Sequence, residues 1–239
     1  MRVGFSTGFL THKIGKPLKE VLNIYSNARA KAIELSLMSY EETINFQLNP
    51  ELIQKINNFS YISIHAPCKG IIYKKDQTTI EVLNKLKSLS EELNVQAVVL
   101  HPSVIQDFTI FEEYNLPFLI ENMDKRNEKL TIPEHFKKFK KESNLGFVLD
   151  LQHAYEHDPT MKLAQELVEV MGSNLKELHV SGQTQEQKHS LLHLSENKTA
   201  IEKILKKKFN LPIILEGCPK EPFQETAQKE ITYIKSFYN

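Results

Sequence analysis

The chain has 239 residues, of which 41% are apolar and 25% charged, and its 30 basic and 30 acidic side chains give a formal net charge of zero. This composition is typical of a globular protein with a substantial core, and the length suits one α/β barrel. A balanced charge provides no field that draws the chain to nucleic acid or to an anionic membrane. No apolar run approaches the roughly 18 residues of a membrane-spanning helix and the first residues lack a signal-peptide core, so we expect a cytoplasmic protein.

Short apolar runs of the β type recur along the whole chain, at intervals of 21 to 38 residues. Such an interval accommodates one strand, one helix and two loops. The predicted strands are Val3–Ser6, Ala32–Leu37, Tyr61–His65, Ala97–His101, Phe118–Asn122, Phe147–Leu151, Leu175–Val180 and Ile213–Glu216.

Stretches with helical periodicity lie between these runs; in residues 79–93, Ile80, Leu83 and Leu86 belong to one apolar face. The clearest predicted helices are Lys16–Ala30, Thr79–Leu93, Pro133–Lys141, Thr160–Met171, Asn197–Lys208 and Pro222–Tyr238. Strands that are apolar on both faces and alternate with amphipathic helices indicate a buried parallel sheet. The repeat favours a (β/α)8 TIM barrel over an open sheet, because no Gly-rich dinucleotide turn follows the first strand. Without a break in composition, we expect residues 1–239 to form a single domain.

Histidines and carboxylates stand at the carboxyl ends of the predicted strands, from the third to the eighth. These strand-end residues are His65, His101, Glu121, Asp150, His179 and Glu216. In a TIM barrel the carboxyl ends form the open mouth, where such enzymes carry their chemistry. A carboxylate at the end of an apolar strand is costly to bury alone, and imidazole with carboxylate is a ligand set for Zn²⁺, Mn²⁺, Fe²⁺ or Co²⁺. The sequence therefore predicts a divalent-metal site at the mouth, with zinc as the first choice.

Other residues near the mouth have more than one interpretation. His153 follows Asp150 by three residues and either ligates an ion or orients a neighbouring ligand. His189 and His193 lie in the loop after the seventh predicted strand. Glu34, within the second predicted strand, is expected to be structural or to contact substrate.

Six short segments follow one another along the chain: His65-Ala66-Pro67, His101-Pro102, Glu121-Asn122, Asp150-Leu151-Gln152-His153, His179 and Glu216. In order and spacing they resemble the metal-binding segments of endonuclease IV. This enzyme belongs to the xylose isomerase-like TIM-barrel superfamily, which also contains sugar isomerases and epimerases. The resemblance covers nearly the whole chain and implies a multinuclear site at the barrel mouth. The ligands that it implies are His65, His101, Glu121, Asp150, His153, His179, His189 and Glu216.

Two positions depart from the endonuclease IV pattern. That family has an Asp-x-His pair after the seventh strand, whereas this chain has Gln187 and His189 at those positions. The family holds three zinc ions; with the aspartate absent, one to three divalent ions (Zn, or Mn, Fe or Co) are expected here. Cys68 stands where endonuclease IV has an aromatic residue that penetrates damaged duplex. Cys68 and Cys218 are expected to pack as small side chains or to line the pocket, and a disulfide between them is the least expected arrangement.

The first functional hypothesis is hydrolysis of a phosphoester or a related bond. Two neighbouring ions would lower the pKa of a water and polarise the phosphoryl oxygen that it attacks. Glu121 would bridge the ions, and Glu121 and Glu216 are the predicted catalytic residues. Lys69 is expected to bind an anionic group of the substrate, with Cys68 and His193 as further substrate-binding residues.

The second hypothesis is isomerisation or epimerisation of a sugar or sugar phosphate, which needs one divalent ion and a base beside a carbonyl. The four ligands in the superfamily's isomerases resemble Glu121, Asp150, His179 and Glu216, with the two glutamates facing the substrate carbons. An iron-dependent oxidative enzyme is a third alternative, because the same ligand types hold iron. A non-enzymatic binding barrel is the fourth.

The expected partner is a small-molecule or phosphorylated substrate. Duplex DNA is not expected, because the chain is neutral, shorter than the endonucleases and has only three arginines, Arg2, Arg29 and Arg126. A membrane partner is not expected either. The sequence does not specify the oligomeric state.

Overall fold

The structure, a computed structural model, describes residues 1–238. Its strands are β1 (Val3–Ser6), β2 (Ala32–Ser36), β3 (Tyr61–His65), β4 (Ala97–Leu100), β5 (Phe118–Glu121), β6 (Gly146–Asp150), β7 (Leu175–Val180), β8 (Gly182–Gln183), β9 (Lys188–Ser190) and β10 (Ile213–Leu215). Strands β1 to β7 and β10 are parallel and close a barrel in the order β1-β10-β7-β6-β5-β4-β3-β2. This confirms the predicted (β/α)8 TIM barrel. The short strands β8 and β9 form an antiparallel hairpin after β7.

Helices surround the barrel and connect its strands. They are α1 (Leu18–Asn27), α2 (Tyr40–Asn45), α3 (Pro50–Ile56), α4 (Gln77–Leu93), α5 (Pro133–Glu142), α6 (Leu151–His157), α7 (Lys162–Met171), α8 (Lys198–Leu205) and α9 (Phe223–Ser236). All the predicted helices are present with slightly different ends, and α2, α3 and α6 are additions. Among the described residues, no helix is both long and apolar enough to cross a membrane.

Local capping explains two of the added helices. Ser39 precedes α2 and Asn49 precedes α3, and each side chain accepts a hydrogen bond from the backbone N–H three residues later. Between β4 and β5 the chain forms no α-helix, and the 3₁₀ segments Pro102–Val104 and Phe108–Glu113 take that place. The connection between β4 and β5 is therefore shorter than one that contains a full α-helix.

The inside of the barrel changes from apolar to polar along its axis. The apolar floor of the interior consists of Ala32, Tyr61, Ala97, Val99, Leu119, Val148 and Ile214. Because successive side chains of a strand point to opposite faces, the residue two positions further along also points inward. Two positions beyond Leu119 and Val148 are Glu121 and Asp150, both buried. The strand pattern thus places ionisable groups directly above the apolar floor.

The larger part of the core lies between the barrel and the helices around it. On α4, Leu83, Leu86 and Leu89 are buried in this layer, as predicted. Ile80, which the sequence places on the same apolar face, is instead 45% exposed. It lies in the first turn of α4, where Thr79 rather than Ile80 is buried.

The contrast on α4 predicts the effect of two matched truncations. Leu86→Ala should lower the free energy of unfolding by about 2–5 kcal/mol, because it leaves a cavity in a fully buried layer. Ile80→Ala, at an exposed position, should change it by no more than about 0.5 kcal/mol. Urea unfolding followed by circular dichroism measures both values. Equal losses in the two variants would contradict this packing.

Candidate metal centre

The carboxyl ends of the barrel strands bring two groups of ligand-type side chains together. His65, His101 and Glu121 form the first group, and within it the ligand atoms lie within 4.8 Å of one another. The second group, which meets the same limit, consists of Glu121, Asp150, His179 and Glu216. Glu121 belongs to both groups. We call these six residues the metal centre; all six were expected at the mouth from the sequence.

The first group lies at the ends of β3, β4 and β5. The Nε2 atoms of His65 and His101 are 3.0 Å apart, and His101 Nε2 is 3.0 Å from Glu121 Oε2. His65 Nδ1 lies 3.0 Å from the carbonyl of Ala66, which can only accept, so Nδ1 carries the hydrogen and Nε2 faces the group. Burial lowers the pKa of His65, but the carboxylates of Glu121, Glu34 and Glu216 together outweigh it and raise the pKa to about 9. A cation between these atoms, a proton or a metal ion, suits this arrangement.

The second group lies at the ends of β5, β6, β7 and β10. His179 Nδ1 is 3.2 Å from Glu216 Oε1 and 3.5 Å from Glu121 Oε1. Asp150 immediately precedes α6 and caps it: its Oδ1 accepts a hydrogen bond from the backbone N–H of His153 at 2.7 Å. That bond fixes the carboxylate and leaves its other oxygen directed to the centre.

Several buried atoms of the metal centre make no well-aligned hydrogen bond, although Glu121 Oε2 and His179 Nδ1 each face an ionisable neighbour. Among the described residues they include Glu121 Oε2, Asp150 Oδ2 and His179 Nδ1. Burying polar atoms without a hydrogen bond is costly unless a ligand satisfies them. All three residues belong to the second ligand group, and Glu121 belongs to the first as well. The donor set, imidazole nitrogens with carboxylate oxygens, is the one that zinc and similar divalent ions bind. The residues present therefore fit divalent cations.

His153 and His189 lie beside the metal centre on the side of β6 and β7. His153 Nδ1 donates to the carbonyl of Asn122 at 2.9 Å and lies 3.3 Å from Glu121 Oε1. His189 Nδ1 is 3.0 Å from Ser181 Oγ, and the two imidazole rings are 5.9 Å apart. Within residues 1–238, neither histidine belongs to a group of three or more potential ligands. This agrees with the presence of glutamine rather than aspartate at position 187.

Burial disfavours charge at the metal centre, and neighbouring charges decide which groups keep it. Burial would raise the pKa of Glu121, but the surrounding histidines, His101 foremost, hold it well below its ordinary value. Burial raises the pKa of Asp150 to about 8, opposed by His153 and reinforced by the carboxylates of Glu216 and Glu121. Burial lowers the pKa of His153, but Asp150 and Glu121 raise it by more, to about 9.

The three residues expected to bind substrate lie in different surroundings. Cys68 is half-buried and free, and burial, followed by the charge of the nearby Glu121, raises the pKa of its thiol. Lys69 is exposed beside it. His193 is bonded through Nδ1 to the buried carboxylate of Glu230 on α9. Substrate contact by these residues stays a prediction, and for His193 it requires the second ring nitrogen.

A third group of ligand-type side chains was not predicted. It lies below the metal centre, and its ligand atoms are within 4.8 Å of one another; its members are Glu34, Glu177 and His179. Glu177 stands two positions before His179 on β7, so both side chains point into the barrel. That spacing is the signal in the sequence that could have identified Glu177.

No protein-family model matches the sequence, and no curated protein matches it. Endonuclease IV from Thermus thermophilus has a similar structure, with a TM-score of 0.72 and 16% identity over 99% of this chain and 98% of that one. A D-tagatose 3-epimerase-like protein gives a TM-score of 0.70 and 16% identity over 99% and 97% of the two chains.

A third similar structure is the probable 3-DHS dehydratase AsbF from Bacillus anthracis, with a TM-score of 0.70 and 13% identity over 98% of this chain and 99% of that one. The chain shares the TIM-barrel fold of these proteins. At these identities the likeness establishes the fold alone. The neighbours are enzymes of different reaction classes, so the fold leaves the reaction to the residues of the metal centre.

The pKa shifts predict that metal binding releases protons. At pH 7 the metal-free chain keeps two members of the ligand groups protonated: His65, with a pKa of about 9, and Asp150, with a pKa of about 8. A metal ion needs the unprotonated ligands, so binding of Zn²⁺ should release more than one proton per chain and tighten as the pH rises through 8 to 9. Titration calorimetry in buffers of different ionisation enthalpy measures this release. An affinity independent of pH between 6 and 9 would contradict it.

Proposed function

We propose that the protein is a divalent-metal-dependent enzyme that hydrolyses a phosphoester at the metal centre. The observation that carries the proposal is the position of Glu121, whose carboxylate belongs to both ligand groups. A shared carboxylate suits two neighbouring cations, and paired cations are a recurring device for displacement at phosphorus. The similar structures, an endonuclease, an epimerase and a dehydratase among them, support an enzymatic role for the centre.

The two ligand groups define which side chains hold each cation. His65, His101 and Glu121 would hold one, and Glu121, Asp150, His179 and Glu216 the other. When bound, the cations would lower the pKa of a water nucleophile and polarise the phosphoryl oxygen. The side chains of the protein would hold these cations and position the substrate.

Those side chains hold and orient the centre. Glu121, 1% exposed, is held on one side by His101 Nε2 at 3.0 Å and on the other by His153 Nδ1 at 3.3 Å. Glu216 has 17% of its side chain exposed, against 1% for Glu121 and none for Asp150. Of the three carboxylates it therefore faces the open mouth most directly. We assign substrate contact to Glu216 and the bridging position to Glu121, with the exposed Lys69 available to an anionic group of the substrate.

A metal-dependent sugar or sugar phosphate epimerase is the second candidate. The observation that favours it is that Glu121, Asp150, His179 and Glu216 form a complete one-ion group by themselves. This candidate leaves His65 and His101 without a function, although their Nε2 atoms meet at 3.0 Å beside Glu121. We therefore rank the hydrolase first.

The proposal predicts the metal content of the purified protein. After incubation with Zn²⁺ and removal of free metal, the wild-type chain should retain two ions, because it has two ligand groups. His101→Ala should retain one, since the four-ligand group stays intact. Elemental analysis by mass spectrometry gives these ratios, and one ion in both proteins would favour the epimerase instead.

The proposal also predicts how activity responds to the same residues. With Zn²⁺ or Mn²⁺, the wild-type protein should hydrolyse a chromogenic phosphodiester or phosphomonoester. His101→Ala and Glu121→Gln should each lower kcat/KM by about 100-fold or more, because replacing even the partners of metal ligands costs up to about that much. Release of nitrophenolate from bis(4-nitrophenyl) phosphate and 4-nitrophenyl phosphate is the measurement.

His135→Ala serves as the matched histidine control, because His135 lies on α5 and belongs to no group of potential metal ligands among the described residues. It should keep the wild-type rate. Epimerisation of a ketohexose or its phosphate that survives His101→Ala, with no phosphoester turnover in the wild type, would replace the hydrolase by the second candidate.

A further inference from the structure

The imidazole ring of His179 lies between two pairs of carboxylates. Its Nδ1 faces the metal centre, at 3.2 Å from Glu216 Oε1 and 3.5 Å from Glu121 Oε1. Its Nε2 faces downward, at 2.9 Å from Glu177 Oε1 and 3.3 Å from Glu34 Oε2. His179, Glu177 and Glu34 are all 0% exposed. The lower pair is thus as close to the ring as the upper pair, and water does not reach it.

The barrel itself fixes the lower pair. Glu177 precedes His179 by two residues on β7, so the same strand carries the ring and its closest acceptor. Glu34 reaches toward them from β2, and its carboxylate accepts a hydrogen bond from Ser63 on the adjacent strand β3 at 3.3 Å. Tyr61 of the apolar floor lies beside Glu177. Both carboxylates are therefore fixed by rigid strands of the barrel rather than by loops.

The two oxygens at Nε2 decide where the ring hydrogen of a neutral His179 lies. A carboxylate accepts hydrogen bonds, so two of them at Nε2 favour the tautomer with the hydrogen on that atom. Nδ1 then presents its lone pair to the metal centre, and a carboxylate behind the ring makes that nitrogen a stronger ligand. The lower pair also prevents rotation of the ring away from this orientation.

We infer that Glu177, assisted by Glu34, is the positioning residue of the metal centre, which holds the Nε2–H of His179 and directs Nδ1 to the ion. Neither carboxylate touches the ion or the substrate. This inference rests on the proposed function only in that His179 must be a metal ligand; it does not depend on the phosphoester reaction.

A further ion held by Glu34, Glu177 and His179 is the alternative use of these side chains, since they form a ligand-type group. Glu34 Oε1 and Glu177 Oε2 are buried without a hydrogen-bond partner among the described residues, which would attract a cation. However, His179 would then need to lose the hydrogens of both ring nitrogens to bind an ion on each side. The neutral ring with its one hydrogen on Nε2 satisfies Glu177 and Glu34, and an ion at Nδ1 would satisfy Glu216 and Glu121, without that loss.

The test compares zinc affinity in the wild type and in variants of Glu177. Glu177→Leu removes the acceptor, and the affinity for the ion that His179 holds should fall by about 10- to 100-fold, as is typical when the partner of a metal-ligating histidine is replaced. Glu177→Gln keeps an oxygen that accepts the Nε2–H, so it should restore the affinity to within about 10-fold of the wild type. Competition with a chromogenic chelator measures each dissociation constant.

Glu230→Leu is the matched control, because Glu230 is equally buried and bonds His193 outside the metal centre. It should lower the melting temperature without changing zinc affinity. Unchanged affinity in Glu177→Leu while the wild type binds zinc would overturn the positioning role and leave the proposed function standing. A wild-type protein that binds no zinc would overturn both, and a third ion that is lost in Glu177→Leu would make Glu177 a ligand instead.

The tautomer of His179 is measurable without any variant. In the zinc-loaded wild-type protein, long-range ¹H–¹⁵N correlation spectra should show the ring hydrogen on Nε2 and a metal-shifted Nδ1. This measurement keeps the inference testable if Glu177→Leu does not fold. A hydrogen on Nδ1 would contradict it directly.

Discussion

The mouth of this barrel is organised around the buried carboxylate of Glu121. It is 1% exposed, and His101, His153 and His179 approach it to 3.0, 3.3 and 3.5 Å. An ionised carboxylate in such a place is costly unless cations surround it. In the metal-free chain His153 and His179, whose pKa values are raised, supply that charge, and divalent ions would supply it when bound. Every other side chain of the metal centre belongs to a ligand group that includes Glu121.

Rigid strands hold this concentration of charge in place, although the apolar floor beneath adds to the cost of burying it. Asp150 and Glu216 flank Glu121, and the repulsion between carboxylates contributes to the pKa of about 8 for Asp150. In a flexible chain these groups would separate; here the strands hold them at fixed spacing. The unpaired oxygens and nitrogen are therefore a preorganised ligand set. The same fold is found in a D-tagatose 3-epimerase-like protein, in endonuclease IV and in a probable 3-DHS dehydratase, so the fold alone does not identify a reaction.

The sequence was sufficient for the barrel and for the rim of the site, but not for the layer beneath it. His101 and Glu121 could be identified because each ends an apolar run, and the carboxyl ends of parallel strands meet at one mouth. Glu177 was missed although it stands two positions before His179 on β7, and Glu34 was noted without its partners, because strands that are apolar on both faces do not show which inward side chains of different strands meet. The bond between His193 and Glu230 was also beyond prediction, since it joins residues 37 positions apart through the packing of α9. Helix α6 was missed for a local reason: its capping residue is Asp150, a residue whose pattern indicates a ligand.

The central claim is that one carboxylate, Glu121, is shared by two metal ions, and crystallography of the zinc-loaded protein tests it most directly. An anomalous difference map at the zinc edge should show two ions on opposite sides of Glu121. One should contact His65 and His101, and the other Asp150, His179 and Glu216. A single ion held by the second set alone, or two ions that do not both contact Glu121, would contradict the account.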